Sequence, residues 1–157
     1  MKRIVISFLS LLVGLSLSSS SIVFAGEAAT KDECVAMCKK AIQMANDKGI
    51  DELIKQANDP KGPFVWKDSY IFVSDLTTKR VVAHPEKPGL IGKDMSGIKD
   101  VKGKMFYMEF LNIAGGKGAG WVDYMWPKPD GTTPVPKTSY VLKVPNKPYA
   151  VIAGYYH

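Results

Sequence analysis

Arginine, histidine and cysteine are scarce in this chain of 157 residues, at two each. Each scarcity excludes something. Only Arg3 and Arg80 are present and the lysines are scattered, so the clustered basic face of a nucleic-acid-binding surface is missing. His84 and His157 stand far from Cys34 and Cys38, so the spacing of a metal site is missing too. In "CVAMC" the cysteines are one residue too far apart for haem attachment, and no histidine follows them. There is no G-x-S-x-G and no paired-carboxylate motif, and Asp75, Glu109 and Asp123 are isolated acids. The glycines of "GKGAG" precede a strand, whereas a phosphate cradle needs a helix N-terminus. The chain therefore reads as a binding protein, not an enzyme, with no cofactor.

Long apolar runs are also lacking. The longest, Ile4–Leu17, is shorter than the ~20 residues of a membrane span. Lys2 and Arg3 precede it, and small or branched residues in Val23-Phe24-Ala25 follow a serine block. This is the pattern of a secretory signal peptide over 1–25, cleaved near Ala25, with one domain over 26–157 that is periplasmic or secreted. Losing Lys2 and Arg3 takes the net charge from +6 to +4, a weak preference for acidic ligands. Export to an oxidising compartment permits a disulfide. Cysteines four apart on a helix would strain one, so two helix thiols and a local disulfide both stay open.

What is present is periodic. "ATKDECVAMCKKAIQMANDKG" predicts a helix with a capping box at Thr30 and Glu33 and an apolar stripe of Val35, Cys38, Ile42 and Ala45. Gly49 interrupts it, and a second helical piece ends at Asp59-Pro60. From Tyr70 the period changes to two. "SYIFVSD" and "RVVAHP" form a hairpin. A Gly/Lys/Asp-rich connection over 85–118 holds one helical turn near Ser96–Lys99 and a short helix ending at Gly115-Gly116. "GAGWVDYMW", "KTSYVLKV" and "YAVIAGYY" are three further strands, the last two at the sheet centre. The fold class is α+β: a long N-terminal helix packed on a five- to six-stranded antiparallel sheet. The 85–118 connection closes the other face over a cleft.

Aromatics and prolines crowd into "WVDYMWPKPDGTTPVPKTSYVLKV". Tyr124 and Trp126 share one strand face, and Trp121 and Met125 share the other. A turn at Asp130-Gly131 would bring Trp126 opposite the region of Lys137. Lys137 can anchor a carboxylate or guard an edge strand. Tyr124, Trp126 and Tyr140 can wall a pocket or fill a core. His84 and Tyr107 are further candidate contacts, and His157 reads as solvated.

These stretches resemble a known family. An HP after the second strand, the GLIGKD loop, the KGAGWVDYMWPKP strand and PKTSY, in this order from Tyr70 to Tyr156, are similar to the single Cache domains of bacterial receptors. The resemblance implies a PAS-like fold and a small ligand, often a short carboxylate, held in a cleft on the sheet. It also implies that Lys137 of PKTSY touches that ligand. Flanking membrane helices and an output module are not evident, as in the stand-alone exported form. The expected function is a sensor-type domain for a small organic acid. The competing expectation is an interaction module that docks on a membrane signal transducer or redox partner.

Overall fold

The computed structural model describes residues 27–157. The signal-peptide reading of 1–25 lies outside them. Among the described residues, no helix is long and apolar enough to cross a membrane.

The chain opens with α1 (Lys31–Lys48), and the capping box forms as expected. The Glu33 amide donates to Thr30 Oγ1 at 3.2 Å, and the Thr30 amide donates to Glu33 Oε2 at 2.8 Å. Gly49, at φ +90°, separates α1 from α2 (Ile50–Ala57), so the N-terminal segment is two helices. The stripe facing the sheet is Cys34, Cys38, Ala41 and Ala45, and the larger Val35 and Ile42 are only half-buried. Small side chains on that stripe let the helix lie close to the strands. Cys38 Sγ stands 4.0 Å from the carbonyls of Tyr140 and Val151. Both cysteines are free and buried. Burial pushes the Cys34 thiol up to about 11 and holds that of Cys38 well above its ordinary range.

The strands are β1 (Val65–Trp66), β2 (Ser69–Asp75), β3 (Arg80–Ala83), β4 (Ala119–Pro127), β5 (Pro134–Lys143) and β6 (Tyr149–Tyr156). They form one antiparallel sheet in the order β1-β2-β6-β5-β4. β3 pairs with β2 on the edge β1 uses, higher up, past a bulge between Val73 and Ser74. β5 and β6 both lie inside that order, with neighbours on each side, as expected. The sixth strand, β1, is too short to carry a readable period.

The turns follow their residues. Asp75 Oδ1 accepts from the Thr77 and Thr78 amides and rounds off β2. Asn146, at φ +57°, turns β5 into β6. The 85–105 segment runs along β3 through bridges Val81–Ile91 and Arg80–Asp94. It contains a 3₁₀ turn at Pro88–Leu90 and a hydrogen-bonded turn from Met95 to Ile98, where a helical turn was expected. It leads into α3 (Phe106–Gly115).

Two cores result. α1 and α2 pack on the face carrying Ile71, Val73, Val151 and Ala153. α3 and the preceding connection cover the face carrying Tyr70, Phe72, Val122, Tyr124 and Ile152.

Candidate functional site

Alternation along four strands brings the site together beneath α3. Pairing of β4 with β5 sets Tyr124 opposite Lys137, and pairing of β5 with β6 sets Lys137 opposite Tyr156. Opposed residues share a face. Trp126 opposes Val135, two residues from Lys137 and on the same face, so it stands opposite the region of Lys137 as expected. The hairpin closes at Pro127–Pro134, and its turn is centred on Asp130-Gly131.

Lys137 is 1% exposed. Its stem passes over Gly154, where a Cβ would sit 2.6 Å from Lys137 Cε and 2.2 Å from Ser139 Oγ. The glycine is therefore required by the close approach of that stem. The amine donates to Tyr156 Oη at 3.1 Å and Tyr70 Oη at 3.2 Å. It also lies 4.3 Å and 4.6 Å from the centroids of the Tyr70 and Tyr156 rings. Tyr156 in turn donates to the Pro127 carbonyl at 2.8 Å. Among the described residues, no carboxylate lies within ion-pairing distance of this amine. Burial lowers its pKa to about 7, and the Asp68 charge only partly opposes that.

Beside the tyrosines is a cavity of about 20 Å³, enough for one water. Tyr70, Phe72, His84, Tyr107, Tyr124 and Trp126 contribute to its wall, and Leu90 of the 3₁₀ turn and Phe106 of α3 help close it. Lys137 is one layer behind this wall, joined to it through Tyr70.

His84 terminates β3, where Asn58, at the end of α2, accepts its amide at 2.9 Å. Its ring stacks on Phe72 at 5.5 Å and tilts against Tyr70 at 4.8 Å. Nδ1 accepts the Lys87 amide at 3.0 Å. That bond leaves the proton of the neutral ring on Nε2, a donor in the cavity wall. Burial, then the nearby Lys137 and Lys87 charges, hold the His84 pKa down at about 3.

The tyrosine hydroxyls are tied down. Tyr107 donates to Ser74 Oγ at 2.9 Å, and burial pushes its pKa up to about 12. Tyr124 bonds Ser139 Oγ at 3.0 Å and stacks on Phe106 with centroids 4.5 Å apart. Trp126 is half-buried at the rim, edge-on to Phe106, with the Lys87 amine 5.9 Å above its ring.

Five of the six candidates thus converge: Lys137, Tyr124, Trp126, His84 and Tyr107. Tyr140 does not. It opposes Ala153 and Trp121 on the helix-covered face, 4.9 Å from the Trp121 ring. His157 is exposed, as expected, and its ring is also tied to the sheet: Thr138 donates to Asp123 Oδ1 at 2.6 Å, so its oxygen accepts from His157 Nε2 at 2.7 Å. The sequence reading missed Tyr70, Tyr156, Ser139 and Gly154. All four were present in recognised strands: alternation along β5 puts Ser139 on the Lys137 face, and the register of β6 between β2 and β5 brings Tyr70, Tyr156 and Gly154 to it.

A helical layer, a central antiparallel sheet and a small aromatic cavity beneath a covering connection define a PAS-like sensor domain. The chain belongs to the Cache domain family, whose profile matches residues 35–157. It is 39% identical over 87 residues to the methyl-accepting chemotaxis protein McpP of Pseudomonas putida. That alignment covers 55% of this chain and 15% of the relative, so the chain spans a small part of that protein's length. A solved periplasmic sensor domain of a chemotaxis protein is 32% identical, with a TM-score of 0.62 over 80% of this chain and 88% of that one. A second solved structure, described as showing carboxylic acid recognition by a Cache chemosensory domain, is 27% identical. Its TM-score is 0.63 over 80% of this chain and 86% of the other.

Proposed function

We propose that residues 26–157 form an exported sensor domain that binds a small organic anion, such as a two- to four-carbon carboxylate, and has no catalytic role. In this reading residues 1–25 are a leader removed near Ala25. The observation that carries it is the Lys137 amine, which is buried with neutral oxygens and rings for partners and has no carboxylate among the described residues within ion-pairing distance. A buried cation is costly unless paired. A carboxylate entering the cavity would supply the pair. Tyr70 and Tyr156 would turn to share it, the Nε2 proton of His84 would donate to its second oxygen, and Phe72, Phe106 and Trp126 would enclose its carbons. The carboxylic-acid-recognising neighbour supports the same ligand class.

The small cavity favours a second reading, an interaction module that docks on a membrane signal transducer or redox partner without its own ligand. In the first reading the cavity must open to admit even a two-carbon acid. Trp126 at the rim and the Pro88–Leu90 turn are the parts that would move outward.

A thermal-shift screen separates the two. Ligand-free 26–157 is melted with short carboxylates, amino acids and neutral urea-like compounds. A carboxylate at a hundredfold excess over its Kd stabilises by about 2.7 kcal/mol, a shift of several degrees. The neutral compounds should leave the melting temperature unchanged. If no anion shifts a well-folded sample, the interaction module is the better account.

A further inference from the structure

We infer that this pocket takes up its anionic ligand together with a proton, so that occupancy reports the acidity outside the cell as well as the ligand concentration. The inference rests on reading the pocket as an organic-anion site.

Its basis is the surroundings of the Lys137 amine. β2 contributes Tyr70, β4 Tyr124 and β6 Tyr156. All three phenols are held well above their ordinary range by burial, and so are neutral. From α1, Cys34 is also a neutral buried thiol. Asp68 faces this region from the β1–β2 turn, but Lys128 engages its Oδ2 at 3.2 Å and the Ala29 amide its Oδ1 at 2.8 Å. After β3 come His84, neutral down to about pH 3, and then Glu86 and Lys87, whose opposite charges act on the amine only from a distance. From the connection and β4, Asp100, Lys102, Lys104 and Asp123 line a separate cleft that Lys137 and His157 also border. Among the described residues, no carboxylate lies within ion-pairing distance of the amine.

In a buried site of this kind the empty pocket favours the neutral amine, and Lys137 loses its proton near pH 7. A bound carboxylate reverses the preference, because it pairs with the ammonium and not with the free amine. Ligand binding above neutrality therefore draws one proton from solvent onto Nζ. Below about pH 6 the amine is already charged and no proton is taken up.

The test is calorimetric titration of ligand-free 26–157 with acetate, propionate and succinate in HEPES and in Tris, whose heats of ionisation differ. At pH 8 the buffer dependence of the heat should show uptake approaching one proton per ligand. At pH 6 it should show none. The affinity should fall about tenfold from pH 7.5 to 8.5 and level off below pH 6.5. Independently of any ligand, one lysine ¹³Cε signal should titrate near pH 7 in the empty protein and should be missing from the Lys137→Met variant. Binding with equal heats in both buffers and a flat pH profile would overturn proton coupling and leave the anion pocket standing. Absence of binding by every acid in both buffers would overturn both readings together.

Discussion

The two faces of the sheet are built from the same strands, residue by alternate residue, and bury opposite kinds of chemistry. Under α1 and α2 the contacts are Cys34, Cys38, Ala41, Ala45, Ile71, Val73, Val151 and Ala153, with no charged side chain in the core. Under α3 the sheet buries Lys137, His84, Ser74 and Ser139 among eight or more aromatic and aliphatic side chains. The first face resembles an ordinary close-packed interior. The second holds groups that weaken a core unless they have another task. Stability and binding are thus assigned to opposite sides of one sheet, and substitutions on each side should separate the two properties.

The largest effect is expected on the helix-covered face. Ile71 is fully buried there at the middle of β2. Ile71→Ala should destabilise the domain by about 2–5 kcal/mol in chemical denaturation, through lost burial and the cavity left behind. The affinity of the remaining folded protein for an anion should change less than twofold. A large loss of affinity would mean that the faces are not separable.

On the cavity face the corresponding test is Gly154→Ala. The added methyl meets Lys137 Cε at 2.6 Å and Ser139 Oγ at 2.2 Å, so both side chains must move. Overpacking of this kind costs about 1–3 kcal/mol. Unlike Ile71→Ala, it should also cut anion affinity tenfold or more, because the amine is pushed out of the Tyr70–Tyr156 pair. Calorimetry and denaturation on one sample read both effects.

Much of this contrast was legible in the sequence, and the failures have identifiable causes. The capping box, the Gly49 break, the central β5 and β6 and the covering connection all follow from local rules that span a few residues. The period of two places Tyr124 and Trp126 on one face, as observed. The same rule puts Tyr140, three residues from Lys137 on one strand, on the opposite face. Tyr140 was thus an error that alternation alone could have prevented. A turn centred on Asp130-Gly131 sets the register of β4 on β5 whatever its length, and it places Trp126 opposite Val135, diagonal to Lys137 on one face. Tyr70 and Tyr156 were beyond local reasoning, because their approach to Lys137 depends on β6 inserting between β2 and β5.

An effect of opposite sign is expected for Lys137→Met. Methionine fills a similar channel over Gly154 and carries no charge. Folding brings the Lys137 pKa from an ordinary lysine value down to about 7. Between pH 7 and pH 10 the unfolded chain therefore binds more protons, and stability contributed by this residue rises with pH. Below pH 7 the folded protein bears the full cost of the buried charge. The variant should be more stable than the parent by about 1–4 kcal/mol at pH 6. That advantage should shrink steadily toward pH 9, and the variant should bind no carboxylate at either pH. A variant less stable than the parent at pH 6 would show that the tyrosine rings and hydroxyls already compensate the ammonium.

The smallest effect concerns His84, on the same face but with the opposite pH window. Its folded pKa of about 3 lies below the ordinary histidine value of about 6.5. Between these values the unfolded chain binds the extra proton, so stability is lost as pH falls from 6.5 toward 3. Replacing His84 with Gln keeps a side-chain oxygen that can accept the Lys87 amide and removes the titration. The variant should start slightly less stable at pH 7, since the stacking on Phe72 and Tyr70 is lost. It should then lose less stability than the parent down to pH 4, in urea unfolding followed by tryptophan fluorescence. Parallel pH profiles for parent and variant would mean that the ring takes up its proton without leaving the folded wall. The helix-covered face, with no histidine in its core, should contribute nothing to this acid sensitivity.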